Sequence, residues 1–485
     1  MAKVVFCQRI VYSLFGIMTI SAVLKKHGHA SELVMDFSTD NIVSEILVSR
    51  PDIVAFSTLI ANGDLEWAVE IADKLKCKYP DIITVFGNIY PTLFPDETME
   101  NTSVDVLCRG EGEFAMLELC NSIDNGSSYD NIPNLHVRTS AGIVRNPMRQ
   151  LIDNLDDLPF PDRDLYQKYN YFSNVNSIDV FAGRACPFNC SYCYNHVLRK
   201  TYCGKGTLVR KYSVDYMIAE LEEIKNKYNP RSYTFVDELF TIDMEWLREF
   251  AEKYRNRIAL PFICNVRADT VDEETASLLA DAGAFRVCLG LETGNEELRI
   301  GLLNKPITDA QYIEASEILH RHKIKFLTTN MIGLPGETVD NAFETIKLNQ
   351  RIKTDFLYFS VFQPYPKLEI TKNAESMGFI SHIKLFEFST TYFKGSSLDQ
   401  ENIGKLVNLH KLFYIAVKFP YLKPLLRQLI KLPANLVFDI IFIVSFGWLQ
   451  ISCFRRNPIQ LLTMGLGNLQ VFYSRKKRIE RFTHA

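Results

Sequence analysis

Cys186, Cys190 and Cys193 stand in the run Gly183-Arg-Ala-Cys-Pro-Phe-Asn-Cys-Ser-Tyr-Cys-Tyr-Asn195, a C-x3-C-x2-C spacing that groups three thiols on one short loop. A four-iron cube normally takes four cysteine ligands from the protein. Three leave one iron open, and an open iron binds a small molecule through its amine and carboxylate, which turns an electron-transfer centre into a reaction centre. His196 offers a different set, three cysteines and a histidine, which suits structural zinc. Zinc sites usually arrive as two separated knuckles, whereas here everything sits in one loop after the strand-like run Ser177-Ile-Asp-Val-Phe-Ala182. The end of a barrel strand is where catalytic groups sit.

Other residues with chemistry in them also fall where strand-like runs end. Asp237 and Glu238 follow Tyr233-Thr-Phe-Val236, and Arg267 follows Phe262-Ile-Cys-Asn-Val266. Glu292 and Gly294 close the run begun by Phe285-Arg-Val-Cys-Leu289, and Gly333-Leu-Pro-Gly-Glu337 turns away from Phe326 to Ile332. With Phe356 to Phe362 these make six runs, separated by helical patterns. Ser213 is placed to cap a helix with an apolar face of Val214, Met217, Ile218, Leu221 and Ile224, and Gly283 is placed to end another. Repeated βα units predict a barrel-like parallel sheet.

The first 125 residues alternate in the same way. Val4 to Cys7, Ile53 to Ser57, Ile82 to Phe86 and Val104 to Leu107 read as strands, and Leu65, Ala68, Val69, Ala72 and Leu75 as one helix face. A doubly wound sheet binds ligands at the carboxyl ends of its strands. The turns expected there are Ser57-Thr58, Gly87-Asn88-Ile89-Tyr90-Pro91-Thr92 and Arg109-Gly110-Glu111-Gly112-Glu113, rich in amides, hydroxyls and glycine. Asp124-Asn-Gly-Ser-Ser128 and the proline-rich Leu158-Pro-Phe-Pro-Asp-Arg-Asp164 mark a connector.

An apolar fraction of 47% and a charged fraction of 23% describe a globular chain and exclude disorder. Eleven cysteines, an odd number without regular pairing, argue for a reducing cytoplasm. Lys3 and Arg9 before an apolar stretch imitate a secretory leader, but no small-residue cleavage site follows. The charge is uneven. Residues 401–485 carry 13 Lys and Arg against 3 Asp and Glu, while the rest carries 41 against 54. The tail's cations interleave with apolar residues, which favours an anionic membrane surface over a nucleic-acid groove. Its run Asn435 to Phe454 holds one charge, Asp439. Attachment to a membrane surface is the expected role, ahead of spanning or of a helical lid over the site.

Taken together, the cysteine loop, the strand-end residues and the N-terminal sheet resemble the radical SAM superfamily, in the branch whose N-terminal domain binds cobalamin. The resemblance runs over almost all of residues 1–375. It implies an α/β fold: a Rossmann-like doubly wound parallel sheet at 1–125, a linker at 126–172, a partial (β/α)6 TIM barrel at 173–375 and a mostly helical region at 376–485. It implies a [4Fe-4S] cluster on Cys186, Cys190 and Cys193 with S-adenosylmethionine (SAM) on the open iron. Asp237 and Glu238 would meet the SAM amino group, Arg267 and Glu292 its carboxylate or ribose, and Gly294 would admit the cofactor to the backbone. The turn at Gly333 and the ring of Tyr192 would shape the adenine site. Cobalamin would rest on Ser57, Thr58, Gly87, Asn88, Tyr90, Thr92, Gly110 and Glu111.

Three departures stand out. Relatives often have Gly-Gly-x-His-Pro-Thr where this chain has Gly87-Asn-Ile-Tyr-Pro-Thr92, and a D-x-H-x-x-G motif is missing, which implies cobalt without a protein histidine. Pro364-Tyr-Pro-Lys-Leu368 replaces the usual Pro-Tyr-Pro-Gly-Thr.

By this resemblance a reduced cluster cleaves SAM to a 5′-deoxyadenosyl radical that takes hydrogen from an unactivated carbon, and cobalamin adds a methyl carrier. The expected substrate is a small molecule, lipid-like or a secondary metabolite. The expected partner is a flavodoxin- or ferredoxin-type reductant, with no nucleic acid. The competing reading within the branch is an oxidative cyclase without net methyl transfer. A transfer-RNA methylthiotransferase needs a different tail, and a non-catalytic iron–sulfur or cobalamin-responsive protein would not need the strand-end acids and glycines.

Overall fold

The computed structural model describes residues 1–9, 12–36, 41–60, 63–169, 171–172, 176–380, 393 and 395–454. Arg455, Arg456 and the cluster at 475–478 lie outside the described residues, so the fold places none of these tail cations. The described chain divides into two compact units, one of residues 1–172 with 202–207 and one of 176–201 with 208–454.

In the N-terminal unit β1 (Lys3–Gln8), β2 (Ala30–Met35), β3 (Ile53–Ser57), β4 (Ile83–Gly87), β5 (Val106–Cys108), β6 (Leu135–Thr139) and β7 (Gly142–Arg145) form one sheet in the order 2-1-3-4-5-6-7. The first five strands are parallel, and the last two pair antiparallel. The helices are α1 (Phe15–Lys26), α2 (Ile42–Val48), α3 (Asp64–Lys78), the short α4 (Ile89–Leu93) and α5 (Pro95–Met99), and α6 (Glu113–Asp124). The faces expected from the pattern are buried: Leu65, Ala68, Ala72 and Leu75 of α3 are 4% exposed or less. β1 followed by α1 takes the segment that imitates a leader.

The proposed linker needs correction. Residues 135–145 are not a connector but a hairpin that extends the sheet, because Leu135 and Val137 alternate into the core and Gly142, at φ 124°, makes the tight turn. The Arg138 guanidinium fastens this hairpin by donating to the carbonyls of Val104 and Asn101. Residues 202–207, expected in the barrel, belong to this unit, where Leu151 N donates to Lys205 O at 2.7 Å.

In the second unit a two-strand ribbon, β9 (Gly183–Arg184) with β10 (Arg210–Lys211), flanks the cysteine loop. The main sheet contains β8 (Ser177–Val180), β11 (Ser232–Phe235), β12 (Phe262–Val266), β13 (Ala284–Glu292), β14 (Lys325–Ile332) and β15 (Phe356–Val361). Its order is 15-14-13-12-11-8, every pair parallel, which is the six-unit partial barrel expected. The helices are α7 (Asn195–Thr201), α8 (Val214–Tyr228), α9 (Met244–Arg257), α10 (Glu273–Ala282), α11 (Asp309–Arg321), α12 (Val339–Arg351) and α13 (Glu369–Ser376). Ser213 Oγ accepts from Tyr216 N at 3.1 Å, and Gly283 closes α10 at φ 98°, as the sequence signals predict.

Three further helices, α14 (Ile403–Lys418), α15 (Lys423–Leu429) and α16 (Leu436–Ser452), complete the C-terminal region. Helix α16 crosses the free edge of β15. Phe438 and Phe442 pack in a cluster with Phe359 and α14, while Phe446, Leu449 and Cys453 pack on Leu327, Phe356 and Tyr358 of the opposite, concave face. Leu327 and Phe356 share a register position, so the alternation of β15 separates the two faces. The Arg286 guanidinium donates to the carbonyl of Cys453 and caps the end of α16. No described helix is long and apolar enough to cross a membrane.

Candidate functional site

The cysteine loop is held at both ends by its own surroundings. Arg199 Nη2 donates to Cys186 O at 3.0 Å, and the His196 imidazole Nδ1 sits 3.1 Å from Cys190 O. Ser191 reaches the strand of chain at 302–303 twice, N to Leu303 O at 3.0 Å and Oγ to Leu302 O at 2.6 Å. Asn304 Nδ2 donates to Asn189 O at 2.8 Å. Burial pushes the Cys186 thiol up and the Cys193 thiol up to about 11, so a cluster must displace protons as it binds.

Arg267 Nη1 stands 3.8 Å from Cys190 Sγ, its guanidinium 3.4 Å from the centre of the Phe188 ring, and a bidentate pair with Asp269 at 3.0 and 2.8 Å fixes its plane. A fixed cation beside a thiolate suits a cluster ligand. Among the described residues no three His, Cys, Asp or Glu side chains converge on one ion. A cube puts each cysteine on its own iron, so its ligand sulfurs need not converge. His196 Nδ1 is engaged by the Cys190 carbonyl. Three thiols on one loop beside a fixed guanidinium are a donor set that fits an iron–sulfur cube.

The strand-end residues gather on the same rim, since each follows the carboxyl end of its strand, but their roles divide. Asp237 is buried, and both its oxygens accept from Ala182 N, at 3.1 and 3.0 Å. Burial pushes it up to about 6 against the pull of Lys211. It ties β11 to the end of β8, so its expected contact with SAM is not where its hydrogen bonds go. Glu238, exposed at the rim, is the carboxylate left to meet an ammonium; desolvation pushes its pKa up against a hydrogen bond from its own backbone amide.

Glu292 ends β13 after a register shift and holds φ 67°. Its Oε1 accepts from Thr329 Oγ1 at 3.1 Å and faces Lys305 Nζ at 3.5 Å. Lys305 is 3% exposed and also donates to Gly290 O, which accepts from Tyr312 OH at 2.6 Å. The sequence reading missed Lys305 and Tyr312. A lysine in a strand-to-helix loop carries no signal of burial in the sequence; the structure marks the place with a π-turn at 298–302 just before it, a feature frequent at functional sites.

Gly294 is corrected. A Cβ there would lie 2.4 Å from Thr345 Cα and 2.6 Å from Glu344 O, so the glycine admits helix α12 rather than a cofactor. At the fifth strand, Glu337 Oε2 accepts from Gly333 N at 2.5 Å and Leu334 N at 3.2 Å, which shapes the turn at Gly333 from within. Burial pushes Glu337 up to about 8. Tyr192 is half-buried against the cluster that includes Leu334 and Leu303, beside that turn, and burial with the charges of Glu292 and Cys190 drives its phenol well up. Lys367, where glycine is expected, stands at φ 67°, a left-handed conformation that costs a non-glycine residue about 1 kcal/mol.

In the N-terminal unit the three expected turns meet. Thr58 N and Oγ1 donate to Gly87 O at 3.0 and 3.2 Å, Asn88 Nδ2 donates to Ser57 Oγ at 2.8 Å, and Gly110 N donates to Thr92 Oγ1 at 2.9 Å. Thr58, Tyr90 and Thr92 are at most 4% exposed, so these three brace the rim instead of lining it. Tyr90 packs on Phe94. Ser57, Gly87, Asn88, Gly110 and Glu111 keep accessible surface, and Asn88 holds φ 86°. No histidine occurs in the three turns. An edge of hydroxyls, amides and an open glycine, whose Glu111 accepts from Ile152 N at 2.9 Å, would suit cobalamin without a histidine from these turns.

Comparison with known proteins agrees with both units. A model of the radical SAM superfamily matches residues 180–348, and a model of the B12 binding domain matches residues 5–120. An uncharacterized methyltransferase of Pyrococcus horikoshii is 26% identical over 77% of this chain and 81% of its own. The anaerobic magnesium-protoporphyrin IX monomethyl ester cyclase of Rubrivivax gelatinosus is 25% identical over 83% and 74%. The hopanoid C-3 methylase of Methylococcus capsulatus is 24% identical over 82% and 76%. Among solved structures, the cobalamin-dependent radical enzyme OxsB with aqua-cobalamin and S-adenosylmethionine bound shares the fold, with TM-score 0.68 and 16% identity over 97% of this chain and 75% of that one. The thiol loop, the charged rim around it and the hydroxyl- and amide-lined edge of the first sheet thus belong to a cobalamin-dependent enzyme of the radical SAM superfamily.

Proposed function

We propose that the protein C-methylates an unactivated carbon of a lipid-like small molecule. One observation carries the reading: a single chain joins a cysteine loop with an unfilled ligand position to a histidine-free edge suited to cobalamin. The cofactors, when bound, supply reductive cleavage of SAM and a methyl carrier. The chain's own groups bind and orient. Glu238 meets the SAM ammonium, Lys305 and Arg267 supply cations toward its carboxylate, and Glu292 hydrogen-bonds the ribose. Tyr192 and the turn at Gly333 enclose the adenine and keep water from it. An external one-electron donor of flavodoxin or ferredoxin type serves the cluster. A membrane-facing C-terminal region would bring the enzyme to a lipid-like substrate, in keeping with the likeness to a hopanoid methylase.

The cyclase likeness favours a second reading, oxidation without net methyl transfer. Reconstituted protein assayed with and without cobalamin separates them. S-adenosylhomocysteine that appears only with cobalamin supports methylation, and 5′-deoxyadenosine alone supports the oxidative reading.

A further inference from the structure

Helix α16 has apolar residues on both sides, and only one side has a partner. Phe438, Leu449 and Cys453 are buried against the second unit's own core and sheet. Leu436, Ile440, Ile443, Val444, Trp448 and Ile451, at helical spacing along the other side, are 39–72% exposed. The stripe runs ~22 Å along the axis. Asp439, the helix's one charged residue, is neutralised by Lys411 at 2.8 Å. A helix apolar all round belongs in an apolar medium.

The charges around it say which medium. From 401 to 454 the chain carries six cations, Lys405, Lys411, Lys418, Lys423, Arg427 and Lys431, against Glu401 and Asp439. Lys423 lies over the Phe343 ring and Lys431 donates to the Gln428 side-chain carbonyl, and among the described residues neither is paired with a carboxylate. Exposed Tyr421, Leu425 and Leu432 interleave with them. Arg455 and Arg456 come three and four residues after α16 in sequence, placing cations before and after the stripe along the chain. Apolar stripe with flanking cations is the composition of a helix lying in a bilayer interface. A two-fold contact between copies would bring the same cations face to face, at a cost.

We propose that the outward side of α16 docks on an anionic bilayer, with the stripe in the acyl boundary and Lys423 and Lys431 at the phosphates. This rests on the membrane reading above and narrows it to one helix face. Because the inward side packs on Leu327, Phe356 and Tyr358, the docked helix also braces the barrel's free edge at the membrane.

The full chain is tested by flotation with vesicles of phosphatidylcholine, alone or mixed with phosphatidylglycerol. The wild type is expected to bind the mixed vesicles, with a blue shift in fluorescence from Trp448, since Trp67 and Trp246 are already buried. The triple variant Ile443→Asn, Val444→Asn, Trp448→Gln should lose at least about tenfold in binding. Lys423→Glu with Lys431→Glu should lose the preference for phosphatidylglycerol. Both should keep the wild-type melting temperature and lipid-free cleavage of SAM, since every changed residue lies outside the site. Three outcomes overturn the proposal. If the triple variant binds like the wild type, attachment runs through another part of the C-terminal region. If the wild type binds no vesicle, the membrane reading falls with it. If the triple variant dissociates a dimer while vesicle binding is unchanged, the stripe is a contact between copies.

Discussion

The carboxyl edges of the two sheets occupy equivalent places in their folds and are built from opposite materials. At the first edge Ser57, Asn88, Thr92 and Gly110 bond one another through hydroxyls and amides, and the charge of the neighbouring Glu111 is met by the amide of Ile152. At the second, Arg267, Lys305, Glu292 and Asp237 are buried charges, each held by an opposite charge, a hydroxyl, a carbonyl or a backbone amide. Buried charges are costly unless paired, so they appear where a ligand demands them. A zwitterion such as SAM beside thiolates makes that demand, and a large, mostly neutral corrin does not. Substitutions at the charged edge should therefore act steeply, and at the neutral edge gently.

The steepest expected effect is at Lys305. Lys305→Met leaves Glu292 buried without its cation, at a cost of about 3 kcal/mol, and SAM affinity should fall roughly 100-fold; equilibrium dialysis with labelled SAM checks it. A variant that binds SAM normally would break the contrast between the edges. Next comes the division between neighbouring acids. Glu238→Gln should weaken SAM roughly tenfold with little change in melting temperature, whereas Asp237→Asn should mainly lower the melting temperature, as a tie to Ala182 N is weakened. Equal effects on binding would restore Asp237 to the site.

A smaller effect sharpens the picture of the adenine turn. Glu337 sits at about 8 when folded, above the ordinary 4.5. The folded state therefore holds a proton the unfolded state has lost, and the stability this gives at acid pH declines as pH rises from 4.5 to about 8. Relative to Glu337→Gln, the wild type should lose melting temperature across that window and no further above it. A pH-independent difference would mean that Glu337 ionises normally. The smallest effect is at the neutral edge: Asn88→Ala should weaken cobalamin by less than about tenfold, because neighbouring backbone groups remain. Absorbance titration with hydroxocobalamin measures it, and a loss as large as that at Lys305 would erase the difference between the edges.

The six barrel strands were legible because parallel strands buried on both faces read as apolar runs. β2, β6 and β7 were not. Ala30-Ser-Glu opens β2 with polar residues, and the hairpin at 135–145 sits in polar chain that composition alone assigns to a linker. The cysteine triplet and the strand-end charges were legible by type and place. Their division of labour was not, since Asp237 is claimed by an amide 55 residues away and Gly294 by the close approach of the α12 backbone at Thr345. Thr58, Tyr90 and Thr92 lie in the turns expected at the strand ends, but which side chain in a turn points inward depends on tertiary packing. Lys305 announced nothing, because only the fold makes it buried.

The central claim is that Cys186, Cys190 and Cys193 hold a cluster at which SAM is cleaved. The most direct measurement is the 5′-deoxyadenosine formed from SAM by anaerobically reconstituted, dithionite-reduced protein and by its Cys190→Ala variant, each with its iron content. The account predicts product and about four irons from the wild type, and neither from the variant. Undiminished 5′-deoxyadenosine from Cys190→Ala would contradict it.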